Sequence, residues 1–387
     1  MSQAEHTFDV ILIGAGSVGA PTAFFLSQSG FRVLVIDQEP SAGQQSNKNA
    51  IGGIRATHSD PAKIRLCQRS LDVFSTWEQQ YGDSIEWIQG GYCFVAYRQQ
   101  EENTLKELLI KQKSYNLKID WFSAADLLEL VPDLNPQGLL GGTFSPEDGS
   151  ASPLKAAAAF TRHAQRMGAQ FLFNAKVLAI HQKGGKVTGV RTTQGDYSAP
   201  VIINAAGAYA KDVAAMVGQD LSVFPDSHEA AVTEPVAPFL GPMIVDIRPM
   251  PGSNNFYFYQ HITGQILFCL TPSPSIWGTD TRETSSFLPQ VATRMVQVMP
   301  RLKHIRVRRT WRGLYPMTPD GFPIVGWSQN VSGLLHMVGM CGQGFMLGPA
   351  LGELAVRMID GHLNSDDNET LSYLDPQRAF AAQEVLK

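Results

Sequence analysis

The stretch from Phe8 to Asp37 constrains this chain more than any other. Phe8, Val10, Ile11, Leu12 and Ile13 make a short apolar run of the kind found in a strand buried on both faces. Gly14-Ala15-Gly16-Ser17-Val18-Gly19 follows at once, then an apolar helical run from Ala20 to Leu26 that Gly30 closes. Phe31, Val33, Leu34, Val35 and Ile36 predict a second buried strand, which ends on Asp37. The glycines have separate tasks: Gly14 permits a tight turn, Gly16 lets backbone approach a pyrophosphate, and Gly19 lets helix pack on strand. The helix N-terminus then faces the phosphates, and Asp37 is placed for the ribose hydroxyls. A lone glycine motif is weak; strand, glycines, helix, strand and acid in this order identify a dinucleotide-binding βαβ unit.

Composition narrows the rest. A chain of 387 residues is long for one core and predicts two domains, and 44% hydrophobic with 17% charged residues describes a soluble globular protein. The net charge of −4 shows no basic excess, so nucleic acid is not an expected partner. The one basic cluster, Lys303, Arg306, Arg308 and Arg309, alternates as a solvated strand face does. Cys67, Cys93, Cys269 and Cys341 are scattered without a CxxC, which predicts buried free thiols in a reducing compartment and no metal site. Neither a signal peptide nor a transmembrane segment is expected, and the location expected is cytoplasmic.

After Asp37 comes a polar loop, Ser41 to Gly53, that ends in Gly52-Gly53-Ile54-Arg55. Apolar spacing predicts a helix over Pro61 to Tyr81, the charged segment Glu101 to Lys113 reads as an exposed helix, another helix is expected over Leu288 to Met299, and Ser152-Pro153 opens one that Gly168 ends. Strands are expected at Tyr92 to Tyr97, in a meander over Gln170 to Thr193, at Val201 to Ile203, and in a β-rich block from Val223 to Thr271. The chain then runs through a strand, Leu334 to Val338, a glycine-rich loop, Gly339 to Gly348, and a helix, Pro349 to Ile359. That second helix N-terminus separates flavin from nicotinamide, because a reduced flavin carries negative charge that free backbone amides stabilise.

These stretches resemble the D-amino acid oxidase-like FAD family, in its L-proline dehydrogenase beta subunit, sarcosine oxidase and glycine oxidase branch. Besides the fingerprint, the matching stretches are Gly52 to Arg55, Gly90-Gly91-Tyr92, Asn204-Ala205-Ala206-Gly207-Ala208, Trp311 to Tyr315, Thr318 to Gly326 and Gly342 to Met346. They span nearly the whole chain. The resemblance implies an α/β fold with a discontinuous Rossmann-like FAD domain, residues 1–81, 152–218 and 309–387. A mixed, mainly antiparallel β-sheet substrate domain, residues 82–151 and 219–308, covers the reactive face. It implies FAD contacts from Gly14, Gly16, Ser17, Val18, Gly19, Asp37, Gln38, Ser46, Asn47, Gly52, Gly53, Val177, Ala206, Gly207 and Gly313. Gln343 and Gly342, with Gly344, Phe345 and Met346 beneath the flavin ring, complete the set.

The implied reaction is oxidation of the C–N bond of an amino acid or secondary amine, with hydride transfer to flavin N5. Departures from the family pattern refine it. Gly313 stands where some relatives link FAD through cysteine, so non-covalent FAD is expected. The family's oxygen-activating lysine has no counterpart between Lys211 and Lys303, which favours a dehydrogenase with another electron acceptor. No histidine occurs over Ser152 to Lys155, so a second flavin is expected only at a subunit interface, and partner subunits fit such a complex. An oxygen-using glycine- or sarcosine-type oxidase and a non-catalytic FAD-bearing subunit stay open, as do 2-hydroxy acid substrates.

The candidate residues for chemistry are Arg55 and His58 beyond the glycine pair, His228 at the start of a strand along the substrate side, Tyr259 beside Tyr257 on an alternating strand, and Tyr315 flanking Gly313. Met346 and Tyr315 occupy positions where relatives carry carboxylate-binding cations, which leaves open which residue anchors the substrate carboxylate.

Overall fold

The computed structural model describes residues 7–381 and 383–386. Two sheets organise them. The first has six strands in the order Ile324–Trp327, Leu334–Val338, Val201–Asn204, Val10–Ile13, Val33–Ile36 and Gln170–Leu172, parallel except for the antiparallel edge strand Ile324–Trp327. Its central strands are buried on both faces. Val10, Leu12, Val33 and Val35 meet the helices Gly19–Gln28, Pro61–Tyr81, Pro153–Arg166 and Gly344–Asp360. Ile11, Ile13, Leu34 and Ile36 meet the three-stranded meander Val177–Lys183, Lys186–Thr192 and Gly195–Ser198. This two-sided burial is why the strands read as unbroken apolar runs.

The second sheet has eight strands: Val307–Met317, Phe224–Thr233, Ile266–Pro272, Ser253–Gln260, Met243–Asp246, Tyr92–Ala96, Gly141–Ser145 and Asp120–Ser123. It is antiparallel except where Met243–Asp246 runs parallel to Tyr92–Ala96. Ile266, Phe268 and Leu270 alternate onto the face covered by the helix Phe287–Val298. Among the described residues no helix is long and apolar enough to cross a membrane, and the four cysteines are buried and free.

Two boundaries differ from the sequence expectation. The strand Val307–Met317, assigned from residue 309 onward to the nucleotide domain, pairs along its whole length with Phe224–Thr233 and so belongs to the large sheet. The last long helix begins at Gly344 rather than Pro349. Gly348 suggested a loop, yet its missing side chain is a packing device: a Cβ there would lie 1.9 Å from the Ser17 carbonyl oxygen. Close approach to the helix Gly19–Gln28 outweighs the low helix propensity of glycine.

Candidate functional site

The C-terminal ends of the strands Val10–Ile13, Val33–Ile36 and Val201–Asn204 open onto a cavity of about 700 Å³ between the two sheets, a size suited to a cofactor with a small substrate. The first helix starts there for a steric reason. A Cβ on Gly19 would stand 1.9 Å from the Gly14 carbonyl, and Gly14 itself has φ +108° against the Ala205 carbonyl. A Cβ on Gly16 would meet nothing within 4 Å, so its backbone is bare towards the cavity that it lines.

Asp37 ends the second strand. Its carboxylate accepts the N–H of Ala15 at 2.6 Å and of Glu39 at 2.9 Å; burial pushes its pKa above the usual carboxylate range against those two bonds. Val177 and Gln38 line the same end, where the Ala175 N–H donates to the Asp37 carbonyl at 3.0 Å. The second helix N-terminus, at Gly344, lies against the first: a Cβ on Gly344 would be 2.9 Å from Ser17 Oγ.

The residues present fit FAD. Two helix N-termini face one cavity, Gly16 leaves room for a pyrophosphate, and Asp37 closes the second strand. Asn47 Oδ1 and Gln343 Oε1, both on residues of the wall, are buried without a partner. Such atoms are costly unless a ligand satisfies them.

The other wall is a row of side chains across five strands of the large sheet. Cross-strand pairing places Phe94 opposite Val245, Val245 opposite Tyr257, Tyr257 opposite Cys269 and Cys269 opposite Ala230, and all five line the cavity. Beside the row, the Tyr315 hydroxyl hydrogen-bonds to that of Tyr257 at 2.9 Å. Burial pushes both phenols well above their usual pKa, so both stay protonated. The His228 ring stacks on Tyr315, its Nε2 is 3.3 Å from Asp226 Oδ2, and its Nδ1 is buried without a partner. Burial raises the Asp226 pKa, but the His228 hydrogen bond and the backbone N–H groups of Ile276 and Ser227 outweigh it and hold the carboxyl below its usual range.

The cavity gathers most of the residues expected from sequence: Gly14, Gly16, Ser17, Val18, Asp37, Gln38, Ser46, Asn47, Gly52, Gly53, Arg55, Val177, Ala206, Gly207, His228, Gly313, Tyr315 and Gly342 to Met346 all line it. Three do not. Gly19 acts behind the wall, by packing. His58 is fully buried between Arg55 Nη1 at 3.3 Å and Cys67 Sγ at 3.4 Å; burial, reinforced by the Arg55 charge, drives its pKa far below the ordinary value and keeps it neutral. Tyr259 lies two residues along the strand from Tyr257, where the cavity has ended, and its hydroxyl donates to the Ile51 carbonyl.

Sequence reasoning missed Phe94, Val245, Cys269 and Thr271 on the wall. Strand alternation alone carried a signal for Cys269 and Thr271, because Ile266, Phe268 and Leu270 commit the opposite face to the core.

Comparison with known proteins accords with this geometry. The profile of the FAD dependent oxidoreductase family, DAO, matches residues 9–358. The mitochondrial sarcosine dehydrogenase of Mus musculus is 26% identical over 380 residues, covering 93% of this chain but only 40% of that protein. The glycine oxidase of Geobacillus kaustophilus is 25% identical over 363 residues, covering 92% of this chain and 93% of that one. The crystal structure of L-proline dehydrogenase from P. horikoshii superposes with a TM-score of 0.90 at 27% identity, covering 96% of this chain and 98% of that one. Glycine fingerprint, paired helix N-termini and whole-chain similarity lead to one assignment: the chain belongs to the DAO family of FAD-dependent oxidoreductases.

Proposed function

We propose that this chain oxidises the C–N bond of a carboxylate-bearing amine, an amino acid or secondary amine such as proline, sarcosine or glycine, and works as a dehydrogenase with non-covalent FAD. The observation that carries the reading is Arg55. Arg55 lines the cavity, only 7% of the residue is exposed, and among the described residues no carboxylate lies within 4 Å of its guanidinium. A buried cation whose partners are two carbonyls and a neutral imidazole favours an anionic ligand.

FAD, when bound, supplies the two-electron acceptor. Arg55 holds the substrate carboxylate, which fixes the neighbouring carbon and nitrogen against the row of Phe94, Val245, Tyr257, Cys269 and Ala230. That row carries no charge and excludes water. Electron withdrawal from carbon requires a neutral amine, and His228 serves that need. With Nε2–H donating to Asp226, Nδ1 is left as an acceptor for the ammonium proton, and the Asp226 carboxylate stabilises the imidazolium that forms. Tyr315 sets the tilt of the imidazole by stacking. The absence of lysine between Lys211 and Lys303 leaves the row without a cation that would attract reduced oxygen, which supports an acceptor other than oxygen.

The test is an anaerobic absorbance titration of the FAD-loaded protein with L-proline, sarcosine, glycine, D-amino acids and 2-hydroxy acids. Bleaching by an amino acid or secondary amine is expected, with slow recovery in air. Bleaching by 2-hydroxy acids alone would sink the amine reading, and rapid hydrogen peroxide formation would sink the dehydrogenase assignment.

A further inference from the structure

Behind Arg55 lies a buried polar cluster that the reaction does not use. Lys63, on the helix Pro61–Tyr81, is wholly buried; its Nζ donates to the Gly321 carbonyl at 2.6 Å and to Glu384 Oε2 at 3.0 Å. Glu384 Oε1 accepts from Ser59 Oγ at 2.5 Å, from the Ser59 N–H at 3.3 Å and from the Leu386 N–H at 3.0 Å. The Val385 N–H donates to Ser59 Oγ at 3.1 Å, and the Glu384 N–H donates to the Asp320 carbonyl at 3.0 Å. One carboxylate thus turns the backbone of residues 384–386 inward. The turn delivers the Leu386 carbonyl to Arg55 Nη2 at 2.6 Å, while Arg55 Nη1 donates to the Thr57 carbonyl. The Leu386 side chain, 2% exposed, packs in the core with Tyr92, Phe94 and Tyr259.

We propose that residues Glu384 to Leu386 are a latch that sets the Arg55 guanidinium on the cavity wall, with Glu384 as its positioning residue. A guanidinium offers five donors in a rigid plane, so two carbonyls fixed at its rear determine where the remaining N–H groups point. Thr57 and Leu386 are those carbonyls. Asp148 braces the Thr57 side by accepting the Ala56 N–H at 2.9 Å, and Glu384 braces the Leu386 side. Lys63 charge-balances Glu384 in the interior. Replacing the Glu384 carboxylate by an apolar side chain removes the acceptor of the Leu386 N–H, the turn opens, and Arg55 loses the Leu386 carbonyl. The inference rests on the reading of Arg55 as the carboxylate anchor.

The test uses acetate as a carboxylate probe, read by perturbation of the flavin absorbance band of the FAD-loaded full chain, alongside thermal stability. Three variants are compared with the wild type. Arg55→Gln is expected to abolish the perturbation. Glu384→Met is expected to weaken acetate binding about tenfold, the scale of one charge-assisted hydrogen bond, and to lower stability by leaving Lys63 unpaired. The double variant Lys63→Met/Glu384→Met removes both buried charges, and is expected to regain stability without regaining acetate affinity. If stability and affinity recover together, or if Glu384→Met binds acetate normally while Arg55→Gln does not, the latch is overturned. Normal acetate binding by Arg55→Gln would instead overturn the anchor reading beneath it.

Discussion

The rings of His228 and Tyr315 stack with centroids 3.8 Å apart and planes 24° from parallel. Strand register explains the contact: His228 lies opposite Gly313 and Asp226 opposite Tyr315, so the two rings are diagonal neighbours on one face of the sheet. On the Tyr315 ring a second constraint acts, since a Cβ on Gly342 would come within 2.2 Å of it. Tyr315 is therefore held by its hydroxyl, by His228 and by Gly342, and it fixes the imidazole in turn.

If His228 takes the ammonium proton, His228→Asn slows anaerobic flavin reduction by roughly 10²- to 10⁴-fold near neutral pH. The deficit shrinks as pH rises, because the free amine then loses its proton to solvent. Stopped-flow reduction at pH 7 and pH 10 checks this; an equal deficit at both pH values would remove His228 from proton transfer.

Tyr315→Phe preserves the stack and deletes the bond to Tyr257, whose hydroxyl keeps Cys269 as its side-chain partner. A stability loss of about 0.5–1.5 kcal/mol is expected in urea titrations, with retained FAD. A variant as stable as the wild type would show that the hydroxyl pair contributes no net stability.

The fingerprint glycines separate folding from binding. Gly19→Ala places a methyl group against the Gly14 carbonyl and should prevent stable folding. Gly16→Ala meets no protein atom, so it should fold with near-normal circular dichroism yet bind FAD weakly, as measured by flavin retention on gel filtration.

Asp148 is fully buried, and burial raises its pKa to about 7 against hydrogen bonds from Ala56, Ser145 and Thr57. The folded state holds this proton more tightly than the unfolded chain, where the pKa is about 3.9. Its contribution to stability is complete below pH 4 and is lost as pH rises towards 7. Chemical denaturation of wild type and Asp148→Asn over that window should show the wild type declining relative to the variant.

His336 has the opposite sign. Burial lowers its pKa to about 4, with Nε2 3.0 Å from Gln219 Oε1. The neutral ring is native, so its contribution is complete above about pH 6.5 and is lost as pH falls towards 4. His336→Gln should remove that acid-side decline, and a decline unchanged in the variant would assign it to other groups.

Local sequence determined the nucleotide half of the site. The run from Phe8 to Asp37 is contiguous, and its strand, turn and helix follow from glycine sterics and apolar periodicity that act within thirty residues. Tertiary structure decided the substrate half. Phe94, Val245, Tyr257, Cys269 and Ala230 come from five strands, and only cross-strand register, set by hydrogen bonds between distant segments, brings them into one row. The same cause explains His58 and Tyr259. Each is polar and close in sequence to a wall residue, yet three residues of loop or two of strand carry it into the core. The latch behind Arg55 was the least legible feature, since it joins residues 55 and 386, and no short-range pattern encodes a contact that forms only when the whole fold has closed around it.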